Sequence, residues 1–321
     1  MTQIGRDIQR RLFETMVRIR KAEECVVDVY AEQMMRTPTH LSIGQEAVAA
    51  GVCAALDGDD QVFCPHRCHA FYLAKGGGLN AFFAELCGKA TGSNHGRGGS
   101  AHLSACEKNM YSSPILGDMI PVAVGAAFSF KMDKLPKVAV AVLGDAGLEE
   151  GVFTESLNFA LLKKLPVIFV CENNLYSTHT HIRERQPAST ISERVSLPEM
   201  KAEQLDGNDV EAVYEAILKA AAECRRGGGP KFFEFLTYRY REHVGPLFDY
   251  DKGYRPKKEV LRWQDKGPIK RYTEILEKRG TFSASEIAKI GEDCAETSLR
   301  AYQQALDDPW PDPAALTTDV Y

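Results

Sequence analysis

Val138-Ala139-Val140-Ala141-Val142-Leu143 runs into Gly144-Asp145-Ala146, and Leu165-Pro166-Val167-Ile168-Phe169-Val170-Cys171 runs into Glu172-Asn173-Asn174. Each is a short apolar run rich in β-branched residues and closed by a polar cluster, the pattern of a strand buried on both faces of a parallel sheet. Between them, Gly151 to Lys164 reads as a helix. Strand, helix and strand then form a βαβ unit. Parallel strands put both polar clusters on one edge, at carboxyl ends, which is where ligands bind in open α/β sheets. The fold class read from this stretch is α/β, a parallel sheet flanked by helices.

Outward from that unit, Ile8, Leu12 and Val17 lie roughly on one helical face, which predicts an amphipathic helix docked on the body. The chain to about Ala90 reads mainly as helices, with Gln45 to Leu56 a small-residue helix fit for close packing. Gly92 to Gly99 is a loop by composition. Ile120 to Phe130, rich in Ala, Val and Gly, predicts a buried helix. Val210 to Arg225 predicts a helix, Gly227 to Pro230 a turn and Lys231 to Tyr240 a strand. From Trp263 the pattern is helical, ending in the Pro- and Asp-rich Asp307 to Pro313 as an extended tail. Residues 1–262 therefore read as one binding domain and 263–321 as a helical C-terminal appendage.

Composition removes several function classes. With 44% hydrophobic and 26% charged residues among 321, the chain is of ordinary globular make-up. Its net charge of −5, with no long Lys/Arg run, argues against nucleic-acid binding, which leans on phosphate neutralisation. Met1 to Glu24 lacks the apolar core of a signal peptide, and no run approaches the roughly 20 apolar residues that span a bilayer. Nine scattered cysteines, an odd number set in apolar runs, suit reduced thiols in the cytoplasm.

Gly144-Asp145-Ala146 together with Asn173-Asn174 carries the chemistry. Either dipeptide alone would pass for a turn or a polar loop; on two strands of one βαβ unit they share an edge. Asp145 offers a carboxylate oxygen, Asn174 an amide oxygen, and a backbone carbonyl near Tyr176 a third. Magnesium takes about six oxygens, often from phosphates and water, so two diphosphate oxygens and a water would complete the shell. The N-terminus of the helix after Asp145 is expected to aim its free amides at the same place.

The chain also holds His40-Leu41-Ser42-Ile43-Gly44-Gln45-Glu46-Ala47, His66-Arg67 with His69, Gly96-Arg97-Gly98-Gly99-Ser100, and Tyr240-Arg241-Glu242-His243. With these in order, the chain resembles the α subunits of the thiamine-diphosphate-dependent decarboxylating component of 2-oxoacid dehydrogenase complexes, the pyruvate, branched-chain and acetoin dehydrogenase family. The similarity extends from about Met16 to Thr318-Asp319-Val320-Tyr321.

The resemblance implies a thiamine-diphosphate-binding fold and two cofactors, thiamine diphosphate and Mg2+. Asp145, Asn174 and the Tyr176 carbonyl would hold the metal. Arg67 would clamp the diphosphate, and the Ala146 and Gly147 amides would reach it. His66 stands where many members have Tyr, although acetoin-type members share the His-Arg pair. Leu116 would press the cofactor into its bent form, and the Pro114 carbonyl would accept from the aminopyrimidine. His243, on a loop near the diphosphate, His40, near the substrate, and His69 are the catalytic candidates. A β subunit would supply the activating Glu in an α2β2 heterotetramer, and the acyl product would pass to a lipoylated acyltransferase.

Other residues are read more plainly. His95, His102, His179 and His181 are taken as satisfied polar side chains. Cys64-Pro65-His66-Arg67-Cys68-His69 lacks a second ligand pair at finger-like spacing, so zinc is not expected there. Ala146 replaces the second Gly of the family's Gly-Asp-Gly, which would slightly crowd a diphosphate. Val244 follows His243 where mammalian relatives carry a regulatory Ser, so that phosphorylation is not available. The loop Thr178 to Arg185, with two His and two Arg, would suit an anionic or sugar-like substrate, or simply solvent. The alternatives to an oxidative dehydrogenase are a non-oxidative carboligase or ketol transferase with the same cofactor, and a non-catalytic scaffold subunit. A nicotinamide enzyme is disfavoured, because Gly96-Arg97-Gly98-Gly99 neither follows a clear strand nor keeps the Gly-x-Gly-x-x-Gly spacing.

Overall fold

The computed structural model describes residues 4–35 and 37–318. The closing Asp319-Val320-Tyr321 of the resemblance, and Met1 to Gln3 of the leader reading, lie outside the described residues. In chain order the helices are α1 (Arg6–Val29), α2 (Glu46–Ala55), α3 (His69–Ala74), α4 (Leu79–Leu86), α5 (Met119–Met132), α6 (Gly151–Lys163), α7 (Ile191–Val195), α8 (Val210–Arg225), α9 (Lys257–Asp265), α10 (Pro268–Lys278) and α11 (Ala284–Asp307). The strands are β1 (Gln61–Cys64), β2 (Met110–Ser112), β3 (Ala139–Gly144), β4 (Val167–Asn173), β5 (Tyr176–Ser177), β6 (Thr180–His181), β7 (Glu203–Asp206) and β8 (Lys231–Leu236).

Six strands form one sheet in the order β2-β1-β3-β4-β8-β7, with every neighbouring pair parallel. Strand β3 shows why its sequence is apolar at every position. Val140 and Val142 pack into the core on one face, while Ala139, Ala141 and Leu143 pack against α5 and α6 on the other. The register sets Gly144 opposite Glu172, so the two polar clusters emerge side by side. β5 and β6 form a separate small antiparallel hairpin.

The amphipathic α1 buries Leu12, Phe13, Met16 and Val17 in a cluster with Tyr272, Leu276 and Phe282 of the C-terminal segment. The last long helix, α11, starts with a capping box in which Ser283 and Glu286 exchange backbone bonds. It ends at Asp307, after which residues 308–312 have no regular structure. All nine cysteines are free. No described helix is long and apolar enough to cross a membrane.

Three expectations are corrected. The helix over Ile120 to Phe130 is present as α5 but is buried on one side only: Ile120, Ala123, Val124, Ala127 and Phe130 pack inward, while Val122, Phe128 and Met132 are exposed. Leu162 of α6 is exposed as well. The segment to Ala90 also contains strand β1, four residues long, inserted between helices. Finally, α6 begins at Gly151 as read, but a 3-10 turn over Asp145–Glu149 separates it from Asp145, so the amides next to Asp145 belong to that turn and not to the helix N-terminus.

The glycine-rich loop has a definite use. Both Glu85 carboxylate oxygens point into it and accept from the backbone amides of Asn94, Gly96, Gly98 and Gly99 at 2.7 to 3.0 Å. Gly96 sits at φ +75° with its α-carbon so close to Gly88 that a Cβ would lie 2.5 Å from the Gly88 carbonyl carbon. The chain's own carboxylate therefore occupies this nest of amides, which is the physical reason it is not a dinucleotide loop.

Candidate active site

The carboxyl ends of β1, β3 and β4 open into a cavity of about 320 Å³, within the usual range for small-molecule sites. Pro65, His66 and Arg67 enter it after β1, Asp145 and Ala146 after β3, and Glu172 and Asn174 at the end of β4. His40 and Gln45 come from the segment before α2, Tyr176 to Thr178 from β5 and its turn, and His243 from the loop after β8. Pro114 and Leu116 line it from the segment before α5.

At the oxygen-donor end, the Asp145 carboxylate is only 2% exposed. Burial raises its pKa, and the opposing pull comes from Arg185, whose guanidinium pairs with both Asp145 and Glu149. A buried carboxylate needs such a cation. Asn174 donates through Nδ2 to Gln45 Oε1 at 3.1 Å and accepts through Oδ1 from the Tyr176 amide at 3.2 Å. Gly147 does not line the cavity itself. It lines an adjoining cleft with Leu116 and Leu143, where a Cβ would come within 3.2 Å of Leu143 Cβ.

Arg67 is buried and held through Nη1 to the Leu41 carbonyl at 2.6 Å and through Nη2 to the His243 carbonyl at 3.2 Å. Burial lowers its pKa to about 10, so it remains cationic at neutral pH. Beside it, Glu172 is pushed up to about 7 by burial, with Arg67 pulling the other way.

At the nitrogen-donor end, the rings of His40, His66 and His243 meet edge to face, with centroids 4.6 Å apart for His40–His66, 5.2 Å for His40–His243 and 5.7 Å for His66–His243. Burial first, and Arg67 second, lower the pKa of all three, to about 2 for His40, about 4 for His66 and about 3 for His243.

His69 is placed differently. It is fully buried behind the wall, with Nδ1 3.1 Å from Glu23 Oε1 and Nε2 2.7 Å from Ser100 Oγ, and Ser100 Oγ accepts in turn from the His40 amide at 3.3 Å. Through Ser100, His69 is linked to the backbone of His40 at the cavity wall.

The loop carrying His243 is fastened by a buried ion network. Asp249 takes Arg239 Nη1 at 3.0 Å and Arg255 Nε at 2.5 Å. Arg239 also donates to the Thr178 carbonyl at 2.8 Å, tying the two loops that frame the mouth. Leu175 and Thr178, on either side of β5, both hold positive φ, 73° and 51°, conformations that non-glycine residues rarely adopt.

Sequence reasoning missed Gln45, Ala101, Glu172, Ser177 and Thr178 as wall residues. Gln45 and Glu172 stood inside quoted motifs, and their position beside Asn174 and Arg67 was the available signal. Ala101 carried none.

The dehydrogenase E1 component family model matches residues 14–314. This chain belongs to that family. It is 35% identical over 313 residues to the α subunit of acetoin:2,6-dichlorophenolindophenol oxidoreductase of Bacillus subtilis, covering 97% of this chain and 92% of the relative. It is 34% identical over 322 residues to the pyruvate dehydrogenase E1 component α subunit of Rhizobium meliloti, covering 100% and 92%. The mitochondrial pyruvate dehydrogenase E1 α subunit of Dictyostelium discoideum is similar to the same extent, 34%, over 84% of its own length. Within this E1-family chain, the cavity unites motifs that lie more than two hundred residues apart, from His40 to His243.

Proposed function

We propose that the chain is the α subunit of a thiamine-diphosphate- and Mg2+-dependent 2-oxoacid or acetoin dehydrogenase. It would work in an α2β2 assembly whose β subunit supplies the activating Glu, and pass its acyl product to a lipoylated acyltransferase. Membership of the E1 family supports the cofactor and reaction class. The observation that carries the reading is the pairing, on one wall, of a buried Asp145 carboxylate that already attracts a cation and a buried Arg67 guanidinium facing the same space. Those donors suit a metal-bound diphosphate: oxygen for magnesium, a planar fork for phosphate.

In this reading Asp145, Asn174 and the Tyr176 carbonyl hold the metal, and Arg67 with the Ala146 and Gly147 amides holds the diphosphate. Leu116 props the cofactor and the Pro114 carbonyl meets its aminopyrimidine. The thiazolium supplies the electron sink for breaking a bond beside a carbonyl. His243 and His66 neighbour the diphosphate clamp through Arg67. His40, kept neutral by burial, acts at the substrate carbonyl as a hydrogen-bond donor rather than as an imidazolium acid. His69 is a positioning residue for His40. Residues 1–262 form the binding domain and 263–321 its helical appendage. Nine free thiols suit a reducing compartment, the cytoplasm.

The test is turnover of a 2-oxoacid and acetoin panel by the chain alone and with its co-expressed β subunit, with and without a lipoylated acceptor. Turnover only by the pair and only with the acceptor is expected. Full turnover by the isolated chain contradicts the shared site, and turnover by the pair without any acceptor assigns it to carboligation instead.

A further inference from the structure

His40, His66 and His243 converge from three distant parts of the chain, and one ring nitrogen of each lies within 4.8 Å of the other two. Among the described residues this is the one group of three or more His, Cys, Asp or Glu close enough to hold an ion. All three rings are held neutral by burial, which is the form a metal binds, so no proton has to be displaced at neutral pH. His40 Nδ1 is buried with no hydrogen-bond partner. A buried ring nitrogen left unpaired is costly and calls for a partner.

We propose that His40, His66 and His243 form a binding site for a zinc-class divalent transition metal, distinct from the oxygen-donor end of the same cavity at Asp145. Three imidazoles suit zinc, cobalt, nickel or copper, whereas magnesium takes oxygens and sheds water reluctantly. Zinc–nitrogen bonds of about 2.0–2.1 Å place tetrahedral ligands about 3.4 Å apart, so the rings must draw inward by about 1 Å, which side-chain rotation of three half-buried imidazoles supplies.

Arg67 is the opposing charge. Its Nη2 lies 3.4 Å from His243 Nδ1, yet it keeps the Leu41 and His243 carbonyls when that ring turns to a metal. The cation at Arg67 weakens the site relative to an isolated set of three histidines. It therefore fills only when free metal rises, with the fourth position open to water. A filled site plugs the cavity, so the metal acts as a blocking ligand. The neighbouring Cys64 to His69 segment contributes only His66. Cys68 donates to the Ser100 carbonyl at 3.4 Å and His69 is engaged by Glu23 and Ser100.

The experiment is titration of the full chain with Co2+, a spectroscopic stand-in for Zn2+, in excess Mg2+ to cover oxygen sites. A visible band of four-coordinate, nitrogen-bound cobalt is expected, bleached by Zn2+. The apparent affinity should weaken by more than about tenfold in His40→Gln and in His66→Gln and stay unchanged in His179→Gln, and the band itself should persist in Asp145→Asn. Two separate ligand variants, each checked for a native circular dichroism spectrum, keep a misfolded protein from imitating the loss. Absence of the band in the native chain, its persistence in both ligand variants, or its loss in Asp145→Asn overturns the site. Because the readout uses no thiamine diphosphate, failure here leaves the cofactor reading standing, and the reverse.

Discussion

Arg185 closes on Asp145. The guanidinium that follows the 3-10 turn Ile182–Glu184 pairs with the carboxylate at the end of β3 and, through its other nitrogen, with Glu149. Gln186 adds a bond to Glu149 at 2.6 Å, so the loop is fastened beside the carboxylate expected to bind magnesium.

A metal arriving at Asp145 must replace that cation. Charge-assisted bonds of this kind are worth about 1.5–3 kcal/mol, and about 1.4 kcal/mol is a tenfold change in affinity. Arg185→Gln is therefore expected to tighten Mg2+-dependent binding of thiamine diphosphate to the α/β pair by about tenfold, measured calorimetrically. It should also lower the stability of the ligand-free chain. Unchanged or weaker binding would show that Arg185 supports the bound state instead.

The three cavity imidazoles make stability depend on acid. From their ordinary pKa of 6.5 down to about 4, the unfolded rings take up protons that the folded rings refuse. The unfolded state then binds more protons, so stability falls as pH drops through that window. Glu172 works the other way, because its folded carboxyl keeps a proton up to about 7 that the unfolded one releases above 4.5. The buried Asp145 carboxyl, also raised, adds to Glu172, and three rings outweigh two carboxyls. His66→Gln should flatten the decline between pH 6.5 and 4 in urea unfolding midpoints, and an identical slope in the variant would refute the assigned pKa.

Asp249 pairs with both Arg239 and Arg255, and all three are buried. Removing one member of a buried pair costs about 3–5 kcal/mol, since it strands charge in the interior. Asp249→Asn should lose stability of that order in denaturant titration and loosen the loop bearing His243, seen as faster proteolysis near residues 242–252. A loss under about 1 kcal/mol would mean that the arginines find solvent.

The strands that decide the fold were legible because parallel pairing buries both faces, and Val138–Leu143 and Leu165–Cys171 are apolar at nearly every position. β7 was not, because Glu203-Gln204-Leu205-Asp206 is a polar edge strand whose pattern shows no alternation and which is defined by its pairing with β8. β1 and β2 are four and three residues long, too short for periodicity to register. Asp145, Asn174 and Arg67 were readable from local motifs as residues of one cavity. The contacts that finish it were not: Gln45 reaches Asn174, and Arg67 reaches the carbonyl of His243, from far along the chain. Such pairings follow from tertiary packing and leave no local pattern.

The proposed cofactor site lies at Asp145 and Arg67 and is completed by a second subunit. Its most direct test is calorimetric titration of thiamine diphosphate with Mg2+ into the chain alone and into the α/β pair, with Asp145→Ala in parallel. Magnesium-dependent binding confined to the pair and abolished by the substitution is predicted. No binding in either sample would contradict it and leave the chain as a scaffold for its partner, and binding that survives Asp145→Ala would contradict the placing of the metal at Asp145.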